Sequence, residues 1–140
     1  MDITITTNPS EQDVKDIRDG VIQHNLSKLG EVFFTDFACF TYYADGTKSG
    51  GLTGEILGQW LSIKFLWVDS ESKGQGIGSK LLRQAELFAL EHNCHSSLLD
   101  TFSFQARPFY ERHGYQVEMT LRQHPIPTSE RYFMTKTLSS

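Results

Sequence analysis

The stretch Leu66–Ala89, LWVDSESKGQGIGSKLLRQAELFA, decides how this chain is read. It opens on a β-prone run and passes through glycines at 74, 76 and 78. It continues into an apolar stripe of Ile77, Leu81, Leu82, Ala85, Phe88 and Ala89 at helical spacing. A helix start leaves its first N–H groups without intrahelical partners and carries partial positive charge. Glycine has no Cβ, so an anion can come close to the backbone there. A glycine-rich turn from strand to helix is therefore suited to cradle a phosphate on peptide N–H groups. Gly74, Gln75, Gly76, Ile77, Gly78 and Ser79 would supply the donors, and Lys73 and Lys80 would add charge from either side. The spacing is G-x-G-x-G, so neither G-x-x-x-x-G-K-[ST] nor G-x-G-x-x-G is matched. Nucleotide hydrolysis and dinucleotide binding are poor fits.

Working outward, GLTGEILGQWLSIKFLWV before the glycines is long for one strand, and Gly58-Gln59 is expected to divide it into two antiparallel strands. Upstream, VFFTDFACFTYY reads as a further strand, joined through the Asp45-Gly46 turn signal. The N-terminal DITITT alternates and predicts a short strand, followed by a helix capped by Asn8 or Ser10 and closed at Gly30. Downstream, HSSLLDTF predicts a buried strand and FQARPFYERHG a short helix with Gly114 at its end. YQVEMTL and RYFMTKTL predict two last strands around the loop RQHPIPTSE. The pattern gives one α/β domain over residues 1–140, with a mixed, mostly antiparallel sheet and helices on its faces.

Composition narrows the function. The 140 residues carry a formal charge of -4 with no block of Lys or Arg, which argues against nucleic acid or an anionic membrane as partner. Cys39 and Cys94 form no C-x-x-C pair and read as reduced thiols. No apolar run reaches the length of a membrane span and the start carries no secretory pattern, so the expected location is the cytoplasm. The five histidines show no metal-ligand spacing, so no metal is expected. Trp60, Phe65 and Trp67 read as sheet packing, with Trp67 also able to floor a pocket.

Two signatures in order resemble the GNAT superfamily of acyl-CoA-dependent N-acyltransferases. The first is Lys73, Gly74, Gln75, Gly76, Ile77 and Gly78 behind a strand ending at Val68. The second is Ala106, Phe109, Tyr110, Gly114 and Tyr115. Lys73 departs from the family's usual Arg or Gln, and Ser103 stands where Asn is common. The resemblance implies acetyl-CoA as cosubstrate, with its diphosphate on Gly74 to Ser79 and its pantetheine arm along the backbone of Leu66, Trp67 and Val68, in a cleft where that strand splays from the one at Leu98 to Thr101. Ser103 is a further cofactor contact on that analogy. It implies a small-molecule or protein amine as acceptor and leaves room for a homodimer, for which the sequence itself carries no signal.

Direct attack of an amine on a thioester poses two proton problems. The amine must be neutral when it attacks, which calls for a general base. Gln59 to Val68 contains no Asp or Glu, so Glu55 and Asp100 are the nearest candidates. The departing thiolate must be stabilised, and Tyr110 matches the family tyrosine assigned to that step. The alternative reading is a non-catalytic module of the same fold that senses acyl-CoA or an amine.

Overall fold

The run from Gly51 to Val68 folds as two antiparallel strands turning at Gly58, in a computed structural model that describes residues 1–138. Two units divide the chain, Met1–Val32 and the part beginning at Phe33.

The first unit is one helix, α1 (Glu11–Leu29). Ser10 is its N-cap and its hydroxyl accepts from the Asp13 N–H at 3.0 Å. Gly30 ends it with φ of 72°. Its apolar residues recur at helical spacing, yet none of its residues is buried. The expected strand over DITITT is absent: residues 1–6 have no regular structure. Alternation alone does not make a strand. The backbone needs a ladder partner, and the first unit contains no second strand to supply it.

The second unit is a six-stranded mixed sheet in the order β1-β2-β3-β4-β6-β5. Its strands are β1 (Phe34–Tyr42), β2 (Lys48–Leu57), β3 (Trp60–Val68), β4 (Ser96–Phe102), β5 (Gln116–Arg122) and β6 (Glu130–Thr137). Helix α2 (Ile77–Glu91) and the short α3 (Arg107–Arg112) lie between β3 and β5 in the chain. The β1–β2 turn closes with the Tyr43 N–H donating to the Thr47 carbonyl at 2.8 Å. Among the described residues, only β3 and β4 run parallel.

The core is built from inward residues of four strands, among them Leu52, Ile56, Leu61, Ile63, Leu99 and Met134. They pack with Leu81, Leu82, Ala85 and Ala89 of α2 and with Tyr110 and Tyr115. Burying aliphatic side chains of this size stabilises by about 1.5–3 kcal/mol each. Tyr115 satisfies its hydroxyl inside this core, donating to Glu86 at 3.0 Å and accepting from Ser97 Oγ at 2.8 Å, and burial pushes its phenol up.

One irregularity shapes the rest. The β2–β3 register jumps between Thr53, which faces Phe65, and Gly54, which faces Ile63. Lys64 is therefore an extra residue, a bulge in β3. Gly54 is required beside it, because a Cβ there would lie 2.7 Å from the Ser62 carbonyl and 3.0 Å from the Phe37 ring. The bulge shifts the alternation: Leu61 and Ile63 point inward, Lys64 and Phe65 both point out, and Leu66 and Val68 resume the inward side. The expectation that Trp60, Phe65 and Trp67 pack the sheet is overturned. They are 40%, 76% and 52% exposed, because the bulge and the pleat put them on the face away from the buried residues.

Candidate active site

Just before the bulge, β3 leaves β4. Their parallel pairing covers only Trp60 with Ser96, Leu61 with Ser97 and Ser62 with Leu98. From Ile63 to Val68 the strand keeps β2 on one side and has no ladder to β4 on the other. A free strand edge of alternating donors and acceptors results, open to an extended ligand.

That edge runs into the glycine turn. Gly74 and Gly76 have φ of 82° and 76°, a left-handed conformation that disfavours a side chain. Gly76 is the N-cap of α2, so no side chain caps the helix, and its first turn holds no acidic residue. The first intrahelical bond is Lys80 N–H to the Gly76 carbonyl at 3.1 Å, which leaves the N–H groups of Ile77, Gly78 and Ser79 outside the helix ladder. Among the described residues, none beyond the chain neighbours lies within 4 Å of where a Cβ would stand on Gly74 or Gly76, so this side of the turn is open. Gly78 serves packing instead: its missing Cβ would touch the Phe109 ring at 3.4 Å.

A cleft of about 720 Å³ joins these parts. Leu66, Trp67 and Val68 form one wall, Lys73, Gly74, Gly76, Ile77, Gly78 and Ser79 the next, and Phe104 to Ala106 with Phe109, Tyr110 and Arg112 the last. A cavity of about 180 Å³ adjoins it between the splayed strands, lined by Ile63 to Leu66, Leu99 to Phe102, Gln105, Ala106 and Tyr110. The open amides, the room above them and the cations Lys73 and Arg112 fit a diphosphate, and the free edge fits a peptide-like arm.

Tyr110 lines both spaces. Burial, with a smaller part from the charge of Asp100, pushes its phenol up to about 12. Asp100 lines the smaller cavity and accepts a hydrogen bond from Arg131 Nε at 2.8 Å. That guanidinium lies over the rings of Phe102 and Phe133, 5.3 and 4.9 Å from their centroids, and the Asp100 bond holds its pKa up.

Not every expected residue meets the cleft. Gln75 and Lys80 are exposed and outside its lining. Glu55 lies on β2, 3.4 Å from Lys64 Nζ, and lines neither space. Ser103 is engaged elsewhere: its hydroxyl accepts from the Glu130 N–H at 3.0 Å and its own N–H donates to the Glu130 carbonyl at 2.8 Å.

Sequence reasoning missed Ser72 and Arg112. Arg112 had a signal, two residues beyond Tyr110 on the same short helix. Ser72 had none, because it depends on a distant partner: its hydroxyl donates to Tyr43 Oη at 2.6 Å, which donates to Asp69 at 2.6 Å. That bond to Asp69 is the largest cause holding the Tyr43 phenol above its usual range. The chain of bonds ties the residue before Lys73 to the end of β1. Among the described residues no cluster of His, Cys, Asp and Glu could hold a metal, and no helix is long and apolar enough to cross a membrane.

The chain is similar to known proteins. Residues 35–117 match the family model described as an acetyltransferase (GNAT) domain. The chain is 38% identical over 90 residues to blasticidin-S acetyltransferase of Streptomyces morookaense, covering 64% of this chain and 66% of that one. It is 36% identical over 101 residues to an acetyltransferase of Agrobacterium fabrum, covering 72% and 74%. A crystal structure of an acetyltransferase from Bacillus cereus superposes with a TM-score of 0.80 at 34% identity, over 96% of this chain and 97% of that chain. A glycine turn opening onto a splayed strand edge thus sits in a chain that belongs to the GNAT acetyltransferase family.

Proposed function

We propose that this acetyltransferase moves the acetyl group of acetyl-CoA to a primary amine of a small molecule, by direct attack with both substrates bound. The observation that carries the reading is the end of β3–β4 pairing at Ser62 and Leu98, which leaves a free strand edge leading straight to an uncapped helix start. The Streptomyces relative's name points to a small-molecule acceptor, and the small cavity beside Tyr110 suits one.

The amides of Ile77, Gly78 and Ser79 hold the diphosphate, Lys73 and Arg112 neutralise it, and the backbone of Leu66 to Val68 pairs with the pantetheine arm. Neutral amine attacks the thioester carbon, and a backbone N–H of the free edge stabilises the developing oxyanion. The C–S bond then breaks and the sulfur departs with the electron pair. A phenol held at about 12 is a poorer acid than a thiol. Tyr110 therefore stabilises the departing thiolate by donating a hydrogen bond and keeps its own proton. The amine's proton leaves toward Asp100, directly or through water. We assign the base role to Asp100 over Glu55 because Asp100 lines the cavity beside Tyr110.

The test is thiol release from acetyl-CoA with blasticidin S and a panel of small amines and amine-bearing peptides. Release with at least one small amine, reduced in Asp100→Asn and Tyr110→Phe, is expected. Release with peptides alone would move the acceptor to protein amines. Tight acetyl-CoA binding with no release on any amine, and no effect of Tyr110→Phe, would overturn catalysis in favour of a sensing module.

A further inference from the structure

We propose that His113 is a positioning residue for the diphosphate: it acts through the Ser79 hydroxyl and couples acyl-CoA binding to the uptake of a proton. The inference rests on the acyl-CoA reading above and deepens it.

Ser79 belongs to the first turn of α2 and lines the cleft. Its Oγ lies 2.9 Å from Nε2 of His113, the residue that ends α3. The contact joins the two helices that flank the cleft. His113 is half-buried, and its ring packs on Phe109 at 4.8 Å between centroids. Phe109 in turn fills the space left by Gly78. The imidazole thus packs behind the hydroxyl of a residue that lines the cleft.

A hydroxyl has one proton to give. When Nε2 is unprotonated, it accepts from Ser79, and that proton is turned away from the cleft. When Nε2 carries a proton, it donates to Ser79 Oγ, and the hydroxyl proton is free to point at an anion. The neutral Nε2–H tautomer and the imidazolium both achieve this. Only the imidazolium adds a positive charge and a charge-assisted bond. A bound diphosphate therefore favours the protonated ring, and by linkage a protonated ring favours the diphosphate. The charged side chains on the elements that meet here are Lys73 before α2, Lys80, Arg83, Glu86 and Glu91 on it, Arg107, Glu111 and Arg112 on α3, and Lys136 of β6, which packs beside Gly114 and pairs with Glu86. Side chains of these types do not ordinarily change charge between about pH 6 and 8, whereas histidine does.

The experiment is calorimetric binding of 3′-dephospho-CoA, which lacks the terminal phosphate that would itself titrate in this range. Titrations run from about pH 6 to 8, in pairs of buffers with different ionisation heats. Affinity should rise about three- to tenfold as the pH falls over that span, with net proton uptake near pH 7. His113→Gln keeps a neutral donor at the same place, so it should bind much as the wild type does at the alkaline end yet lose both the slope and the proton uptake. Ser79→Ala should weaken binding and flatten the slope. A flat wild-type profile, or a slope that survives in His113→Gln, overturns the proposal while leaving the acyl-CoA reading intact. No binding at any pH sinks that reading itself.

Discussion

Two helices of this protein begin in opposite ways. At α1, Ser10 accepts the Asp13 N–H, and Glu11 and Asp13 put negative charge on the first turn. That end is served locally: the Asp13 N–H has a side-chain partner and the dipole is countered. At α2 the capping position is Gly76 in a left-handed conformation, no side chain caps the helix, and no acid lies in the first turn. Its donors are left for something from outside. The contrast repeats along the helices. α1 buries no residue, whereas α2 buries Leu81, Leu82, Ala85 and Ala89. Firm packing of the body of α2 lets its start go uncapped, since the helix does not depend on a cap to form.

The most direct way to break the comparison is to give α2 the acid that α1 has. Gly76→Asp places a carboxylate and a Cβ over the open amides. CoA affinity should fall by at least about a hundredfold, the scale of a lost charge-assisted contact plus repulsion. Calorimetry checks the binding and circular dichroism the fold. Unchanged affinity in a folded variant would refute the cradle.

Tyr110→Phe sharpens the comparison by separating binding from chemistry. It should lower kcat by about ten- to a hundredfold, at the low end for a positioned proton-handling group, with acetyl-CoA affinity unchanged. The same variant gives a pH test. The folded protein keeps the Tyr110 proton to about pH 12, whereas the unfolded chain releases it near the ordinary tyrosine value of about 10. This contribution to stability is complete below about pH 10 and is lost as pH rises toward 12. Alkaline denaturation of wild type should therefore be steeper over that interval than that of Tyr110→Phe. Equal slopes would mean that the phenol is not held up.

Lys73→Gln removes a cation beside the uncapped end and should weaken CoA binding by about three- to tenfold, less so at high salt. A loss that ignores ionic strength would argue against a role through charge. The smallest effect belongs to the self-sufficient helix. Ser10→Ala should cost α1 about 1 kcal/mol, read as faster amide exchange in its first turn, with CoA affinity untouched.

The sheet was readable where alternation and turn signals agree. Gly58 divides β2 from β3, and Asp45-Gly46 closes the first hairpin. The glycine turn, the strand before it and Tyr110 were readable because their residue types are dictated by backbone geometry and by a family signature. What escaped depends on partners distant in sequence. Nothing in DITITT reveals that no strand pairs with it. Nothing around Ser103 reveals that Glu130 takes its hydroxyl. The outward turn of Phe65 follows from a bulge, and a bulge is visible only in the register of two strands. Glu55 was chosen for its nearness in sequence to the glycine turn, but β2 and the Lys64 contact set it apart from the cavity that Asp100 lines.

The extra residue in β3 has a consequence for how this protein can change over time. Losing Lys64 would leave every side chain assigned a role here in place and would put β2 and β3 back into regular step across Thr53 and Gly54. Exchanging one amino acid for another leaves the register of these two strands unchanged; losing a single codon would remove the bulge.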